Sequence, residues 1–548
     1  MTPGGPERVV APPRVETDPG VPLSHREILL VLGGLVLGML VAMGSQSVVG
    51  PALPTIVGEL GGQDDLPWIM TAQMRATTAS TPLWGKLGDL YGRKRLFQLA
   101  IVVFLVGSSL SGLSQSIGQL IAARTLQGLG GGGVMSLTMA IMASVVSPRE
   151  RGRYVGYIAS SMMVSGLGGP LLGGFIVDAL SWRWCFFVVV PIGLVALVVI
   201  QRVLHLPNVR TDHVIDFPGA ALLVGAVTAT VLVTSFGGRQ WAWDSPAIFA
   251  LGAAAVVLVV LFIAQERRAV EPILPLHLFR SRDISVSLAC IFVVGLAMFS
   301  ATVFLPQYLQ ITRGASPTRS GLLMTPQMLG MSGTSIVVGR LISRNGRYRT
   351  YPIVGMGMIA VSLYLLSMLD AHTAFAFVAV AMFTLGVGMG LCMQVLTLIV
   401  QNTVTWSELG VATSTSQFFR SIGGAVGVPV FGAIMNNRIS YHLPRLLERA
   451  GETGVDARGG RALLGSPAQI HQLEPAVRDA VLDAFARSMH VVFLCAAPLA
   501  VIGFVLTLLL DEVPLREDAG PPGDAPVDSD AEAVLVSEGV ALPITSVT

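Results

Sequence analysis

Charge is scarce in this sequence. Of 548 residues, 12% are charged and 52% are hydrophobic, and the mean hydropathy is +0.69. Soluble domains carry about 25% charged residues, so these proportions exclude a soluble protein and indicate a membrane protein. Only Lys86 and Lys94 among the 35 cationic residues are lysines. The net charge of +2 gives no indication of a nucleic-acid partner.

The motifs of common enzymes and metal sites are also missing. There is no Gly-x-Ser-x-Gly elbow, no nucleotide-binding Walker loop and no His-Glu-x-x-His. The eight histidines are scattered, and the four cysteines lie in apolar runs without metal-ligand spacing. We therefore expect no enzyme activity, no cofactor, no metal and no ATP-driven transport in this chain.

Long apolar runs dominate what is present. A transmembrane helix needs about 20 apolar residues. On that measure we predict an all-α membrane protein with fourteen transmembrane helices, near 28–50, 66–85, 96–114, 117–146, 153–176, 184–204, 216–236, 246–265, 284–309, 319–343, 351–370, 373–401, 408–435 and 489–511.

A basic, glycine-punctuated turn, GKLGDLYGRKR at 85–95, lies between the second and third runs. Its glycines permit a turn and a close approach of helices, and its cations favour the cytoplasmic side. A second copy follows at an offset of 254 residues. The residues of the two copies to which we assign a gating role are Gly85, Asp89, Gly92, Arg93, Gly339, Gly346 and Arg347.

The same offset predicts an internal duplication. It relates Gly169 to Gly423 and aligns helices one to six with helices nine to fourteen. The sequence thus predicts two six-helix pseudo-repeats plus two inserted central helices at the periphery, as in rocking secondary transporters. Glycine-rich faces expected to pack closely and act as hinges carry Gly166, Gly169, Pro170, Gly173, Gly423 and Gly424.

Lysine and arginine are unevenly distributed over the predicted loops. Sixteen lie in loops on one side and four on the other, which predicts that both termini are cytoplasmic. The expected units are a disordered arm (1–25), an N-terminal six-helix bundle (26–210), the inserted pair (211–270), a C-terminal six-helix bundle (271–513) with an extracytoplasmic loop (437–488) containing two short amphipathic helices, and a disordered acidic tail (514–548).

The motifs resemble the major facilitator superfamily, and within it the fourteen-helix drug:proton antiporter family. The turn at 85–95, Arg124-Thr125-Leu126-Gln127-Gly128 in helix four, Gly166 to Gly174 in helix five and Pro51-Ala52-Leu53-Pro54 after helix one carry the resemblance. It implies proton-coupled multidrug efflux, with antibiotic resistance, by a monomer in the bacterial plasma membrane. It also implies that Asp89 accepts hydrogen bonds from the start of a neighbouring helix and pairs with Arg93.

Three positions depart from that family. Its usual helix-one aspartate is replaced by Gly44-Ser45-Gln46-Ser47, the acidic partner of the basic turn by Ser144, and the helix-two tyrosine-leucine pattern by Gln73-Met74-Arg75. We expect the substrate and coupling cavity to include Ser45, Gln46, Gln73, Arg75, Arg124 and Gln127.

Ionisable residues at membrane depth are costly and call for a role. Arg124 would either face the cavity, tuning a proton site or binding an anionic group, or bond to carbonyls of a neighbouring helix. Arg75 would either line the cavity or extend its charge to the outer interface. Packing is the favoured role for Arg420, and Asp178 and Glu408, near helix ends, are alternative coupling groups.

We therefore expect an exporter of amphipathic small molecules or drugs, in a lipid bilayer, working by alternating access with proton antiport. One alternative is a lipid or anionic-compound exporter or flippase with weak or no proton coupling. Another is a transport-incompetent binding or sensor protein.

Overall fold

The computed structural model describes residues 25–60, 66–146, 164–166, 168–169, 172–177, 179–204, 216–237, 241, 244–269, 272–405, 408–449, 470 and 473–515. These residues form an all-helical protein. The helices are α1 (His25–Val49), α2 (Leu53–Leu60), α3 (Leu66–Tyr91), α4 (Arg93–Leu113), α5 (Ile117–Val145), α6 (Trp184–Phe187), α7 (Val189–Val203), α8 (Phe217–Phe236), α9 (Pro246–Glu266), α10 (Arg282–Arg313), α11 (Pro317–Leu323), α12 (Thr325–Asn345), α13 (Thr350–Ser367), α14 (Phe375–Thr403), α15 (Leu409–Arg449) and α16 (Pro475–Thr507).

Within the described residues, eleven helical segments are long and apolar enough to cross a membrane. They coincide with eleven of the fourteen predicted helices. The predicted second and tenth helices exist as α3 and α12, with 26 and 21 residues, but polar and charged side chains keep them less hydrophobic. The predicted fifth helix lies largely outside the described residues, although its described pieces at 164–166, 168–169 and 172–177 are helical.

Two groups of helices pack among themselves. In the N-terminal half, α5 packs against α3 and α4, and α1 packs against α7. In the C-terminal half, α10 packs against α15, α14 against α12 and α13, and α16 against α13 and α15. Each half has its own buried apolar core. The two halves meet where α15 packs against α3 and α5.

The basic turn is shorter than the sequence predicted. Helix α3 continues to Tyr91 and α4 begins at Arg93, so Gly85 and Asp89 are helical rather than in a loop. Gly92 alone makes the turn, with φ of 93°, a value that L side chains rarely adopt. In the second copy Gly346 ends α12 with φ of 68°. The predicted turn glycines are therefore confirmed, and the predicted helix end near 85 is wrong.

Helices also occupy the two described ends of the predicted loop 437–488. Helix α15 runs 41 residues to Arg449, and α16 begins at Pro475. The two predicted amphipathic helices are therefore continuations of these long helices and not separate elements. Buried Leu443, Leu447 and Val481 explain the extension, because apolar residues on one face of each segment pack into the core of the C-terminal half.

The inserted helices occupy different environments. Helix α9 packs against α8 and exposes apolar side chains such as Phe249, Val256 and Val260, as expected at the periphery. Helix α8, in contrast, packs against both α3 and α15, one from each half. Its buried Leu223 and Val227 share an apolar cluster with Ala79, Phe418 and Ala425. The expectation that both inserted helices are peripheral is therefore wrong for α8, which covers the seam between the halves.

A polar contact fixes the short helix α2. Glu59 accepts hydrogen bonds from Trp182 Nε1 at 2.7 Å and Arg183 Nη1 at 2.5 Å, and Arg183 also stacks on the Trp182 ring. The hydrogen bond from Arg183 holds the pKa of the Glu59 carboxyl below its usual value. This contact connects α2 to the residues that precede α6.

Candidate functional site at the junction of the two halves

Asp89 joins the two halves. Its Oδ2 accepts a hydrogen bond of 2.9 Å from the Val411 backbone N–H, and its Oδ1 accepts two from Arg93, at 2.8 and 3.1 Å. Val411 lies in the first turn of α15, where backbone N–H groups lack partners within the helix and attract an anion. The contacts implied by the family resemblance are therefore present: a helix start on one side and Arg93 on the other.

Arg93, the first residue of α4, also connects this contact to α5. Its Nη1 approaches the Ala140 carbonyl of α5 at 3.5 Å, and its side chain is 7% exposed, against 10% for that of Asp89. So little solvent reaches this ion pair that removing one partner would leave the other charge buried and uncompensated, which is strongly destabilising. The carboxylate thus holds α3, α4 and α15 together at one end of the molecule.

Small residues bring α3 and α15 close enough for this bond. A β-carbon at Gly85 would overlap the side chain of Ser414 and lie 2.9 Å from the Gly410 carbonyl oxygen. A β-carbon at Gly410 would overlap the Asp89 carboxylate. These glycines are therefore required by the approach of the two halves.

We expect Gly85→Ala to lower transport, because the new methyl group would force α3 away from α15 and lengthen the Asp89 bond. Combining it with Ser414→Gly removes the main obstacle and should restore part of the rate. Gly33→Ala is the control, since nothing lies within 4 Å of that position. Initial efflux rates at equal membrane abundance provide the measurement, and a normal rate for Gly85→Ala would contradict this view of the crossing.

The second copy of the motif has a hydroxyl in place of the carboxylate. The position matching Asp89 is Ser343, whose hydroxyl donates to the Gly339 carbonyl of its own helix. Gly339 and Ile342 face Met139 and Met142 of α5 across a cavity of about 30 Å³. Arg347 is exposed. The two copies thus share their turn geometry but not their contacts across the halves.

Arg124 is buried inside the N-terminal half and does not face an open cavity. It is 0% exposed, donates to Gln127 Oε1 at 2.8 Å and to the Ile69 carbonyl at 3.3 Å, and lies 5.7 Å from the centre of the Phe186 ring. This matches the alternative in which a neighbouring helix's carbonyl satisfies the arginine. Gln127 is also fully buried, and its Nε2 has no acceptor among the described residues.

The other predicted cavity residues differ in burial. Gln73 is 2% exposed, and its Oε1 has no donor among the described residues. Ser45 is 0% exposed and donates to the Ala42 carbonyl at 3.1 Å. Gln46 and Arg75 are only half-buried. Of the six predicted cavity residues, these two are therefore the partly exposed ones.

The predicted glycine faces are closely packed. β-carbons at Gly169 and Gly173 would overlap Ser47 and Val48 of α1, and one at Gly166 would lie 2.5 Å from the Met328 methyl group. In the C-terminal half, β-carbons at Gly423 and Gly424 would overlap Phe292 and Phe299 of α10. Pro170 lies outside the described residues.

The two described members of the remaining ionisable residues, Arg420 and Glu408, have partners other than Asp89. Arg420 donates to Gln417 at 2.9 Å, to Thr397 at 3.2 Å and to the Met393 carbonyl at 3.3 Å, as expected for a packing role. Glu408 pairs with His277 at 2.7 Å in an exposed position before α15. Asp178 lies outside the described residues.

The comparisons with known proteins agree with this arrangement. The model of the Major Facilitator Superfamily matches residues 35–220 and 217–428. The chain belongs to this superfamily. An MFS-type transporter of Mycobacterium tuberculosis is 41% identical over 498 residues, covering 90% of this chain and 72% of the relative. The multidrug transporter protein MdtP of Bacillus subtilis is 34% identical over 510 residues, covering 89% and 93%.

Solved structures show the same fold. The human organic anion transporter MFSD10 matches 88% of this chain and 99% of its own, with a TM-score of 0.59 at 14% identity. The proton:xylose symporter XylE matches 88% and 96%, also with a TM-score of 0.59, at 12% identity. Members of the superfamily are transporters, so this multi-pass membrane protein is a transporter and not an enzyme, as the sequence predicted.

Sequence reasoning missed the residues of α15 that meet Asp89 and Gly85. Gly410, Val411 and Ser414 lie 321, 322 and 325 residues after Asp89, in a stretch without charge or a recognisable motif. The small-residue run at 410–416 was the available signal, because such runs mark close helix packing in membranes.

Proposed function

We propose that this chain is a secondary active exporter of amphipathic small molecules, of the fourteen-helix drug:proton antiporter type, acting as a monomer in a bacterial plasma membrane. The two halves rock about a central cavity, which alternates between the two sides of the membrane. Relatives named for multidrug transport support the substrate class.

The Asp89 contact is the observation that carries this proposal. It is a hydrogen bond between the halves, at the end where Gly85 of α3 and Gly410 of α15 allow the two helices to approach closely. While it is formed, α3 and α15 close the cytoplasmic end. Once it breaks, that end loses a bond between helices of the two halves, which favours its opening.

The alternative is an exporter of lipids or anionic compounds with weak or no proton coupling. It is favoured by the charges inside the membrane helices. Arg75, Arg124 and Arg420 lie well inside them, whereas the described carboxylates within α16, Asp479 and Asp483, have side chains that are about half exposed and precede the predicted membrane span at 489–511. The neutral Ser45 and Gln46 replace the carboxylate that would trade a substrate cation for a proton.

Inverted membrane vesicles distinguish these functions. A panel of dyes, lipid analogues and lipophilic acids is offered to energised vesicles, and uptake is recorded with and without collapse of the proton gradient. Uptake lost on collapse supports antiport, and uptake that persists supports the alternative. If neither the panel nor the gradient reveals any flux above vesicles without the protein, the export proposal is wrong.

The proposed orientation has its own test. Both termini are proposed to be cytoplasmic, so the link between α15 and α16 is extracytoplasmic. A single cysteine at Glu474, in a chain whose four native cysteines are replaced, should react with an impermeant thiol reagent in intact cells. A single cysteine at Arg95 serves as the control that should react only after permeabilisation. The reverse pattern would invert the topology.

A further inference from the structure

Asp216, the N-cap of α8 at the start of the inserted pair, has hydrogen-bond donors at one of its two carboxylate oxygens. Its Oδ1 accepts hydrogen bonds of 2.9 Å from the Gly219 N–H, capping α8, and of 2.9 Å from Gln265 Nε2 of α9. The residue is 9% exposed. Its Oδ2 is buried and has no hydrogen-bond partner among the described residues. A buried carboxylate oxygen in this state is costly unless something binds it.

A second carboxylate converges on the same point. Glu266, the last residue of α9, is 4% exposed and accepts backbone N–H groups of Ile273 at 3.3 Å and Leu274 at 3.1 Å. A β-carbon at Gly219 would overlap Asp216 Oδ2 and lie 3.3 Å from Glu266 Oε1. The unpartnered oxygen thus lies on the side of Asp216 that faces Glu266.

Few positive charges compensate this pair. Lys86 of α3 interacts electrostatically with Glu266, and also with Asp89 of the junction. Arg267 and Arg268 follow Glu266 but are exposed, and His277 is paired with Glu408. Among the described residues the pair therefore faces one lysine, which it shares with the carboxylate that joins the halves.

We propose that Asp216 and Glu266 bind one proton between them and form a titratable site at the cytoplasmic end of the inserted helices. Two buried like charges this close cannot both ionise without a large cost. The two backbone N–H groups hold the Glu266 carboxyl beside Asp216, and the shared proton lies between the two carboxyl groups. Asp216 Oδ1 continues to cap α8 in either state.

The site is placed to affect the junction. Loss of the proton leaves two negative charges beside Lys86, which draws that lysine towards α9 and away from Asp89. Because α8 packs on both α3 and α15, a change at its first turn reaches both halves. The inserted pair would thereby make closure of the cytoplasmic end sensitive to cytoplasmic pH. This consequence rests on the proposed function, whereas proton binding does not.

Infrared difference spectra on the purified full chain in lipid nanodiscs test the proton site directly. A protonated carboxylic acid has its own carbonyl band, and the wild-type protein should show one such band that disappears on raising the pH. Asp216→Asn and Glu266→Gln should each remove it. Asp244→Asn, an exposed residue before the outer end of the same helix pair, should leave it in place. Spectra in which both site variants keep every titrating band would overturn the proposal.

Thermal stability provides a second measurement that needs no transport. A proton held more tightly in the folded state than in the unfolded one stabilises the fold, and the stability decreases as the pH rises to the point where the proton leaves. Wild-type protein and Asp244→Asn should show this decrease between mildly acidic and neutral or higher pH. Asp216→Asn and Glu266→Gln should both flatten it. Equal pH slopes in all four proteins would also overturn the site.

Discussion

Asp89→Asn is expected to reduce export at least tenfold while the protein remains in the membrane at normal abundance. The asparagine is isosteric and can still accept one hydrogen bond, but it lacks the charge that both Arg93 and the start of α15 attract. Hydrogen bonds to a charged group contribute about 1.5–3 kcal/mol each, and about 1.4 kcal/mol corresponds to tenfold in an equilibrium. The closed state of the cytoplasmic end should lose that amount relative to the open one.

The second copy of the basic turn supplies a matched control for this substitution. Ser343 occupies the equivalent position there, and its hydroxyl donates to the Gly339 carbonyl of its own helix, so Ser343→Ala should affect the rate much less than Asp89→Asn. Initial rates of dye efflux, normalised to membrane abundance, compare the two variants. A wild-type rate for Asp89→Asn, or an equal loss for Ser343→Ala, would contradict a gating role for Asp89.

The two copies of the basic turn share their backbone geometry but differ in their side-chain contacts. A sequence repeat therefore predicts local conformation and not tertiary contacts. Glycine offsets predicted the turns at Gly92 and Gly346, because a left-handed backbone position depends on the local residue alone. The contacts of the two copies differ, because each depends on a partner far away in sequence. Asp89 finds an N–H of α15, whereas Ser343 finds a carbonyl four residues back.

Arg124 shows a second limit. The cost of an arginine at membrane depth predicts that it has partners, which is confirmed. That cost is equally met by a solute in a cavity or by a carbonyl of a packed helix, and only the burial of the side chain distinguishes them. The position of α8 could not be predicted either, because a helix needs the same apolar residues whether it contacts lipid or packs against two other helices.

These findings change which residues should control the charge of the substrate. Arg75 and Gln46 are half-buried, whereas Arg124 and Ser45 are fully buried and bonded inside the N-terminal half. Arg124→Ala would leave Gln127 without its donor and open a cavity, so we expect it to lower the abundance of the protein and transport of every substrate. Loss of acidic substrates alone would not be its signature.

We therefore expect the wild-type protein to prefer neutral and acidic amphiphiles over permanently charged cations, and Arg75→Gln to reduce the preference for the acid at least tenfold. A unit charge 4 Å from a cation contributes about 4 kcal/mol at an effective dielectric constant of 20, and a third of that gives about tenfold. Gln46→Glu should shift selectivity in the same direction by adding a carboxylate next to Ser45. The control is Arg319→Gln, which removes an exposed cation at the start of α11.

Competition between an organic cation and a lipophilic acid of similar size, in energised inverted vesicles, measures the ratio of their transport rates. If the wild-type protein exports the cation better, a positively charged cavity is excluded, and a carboxylate must attract the substrate.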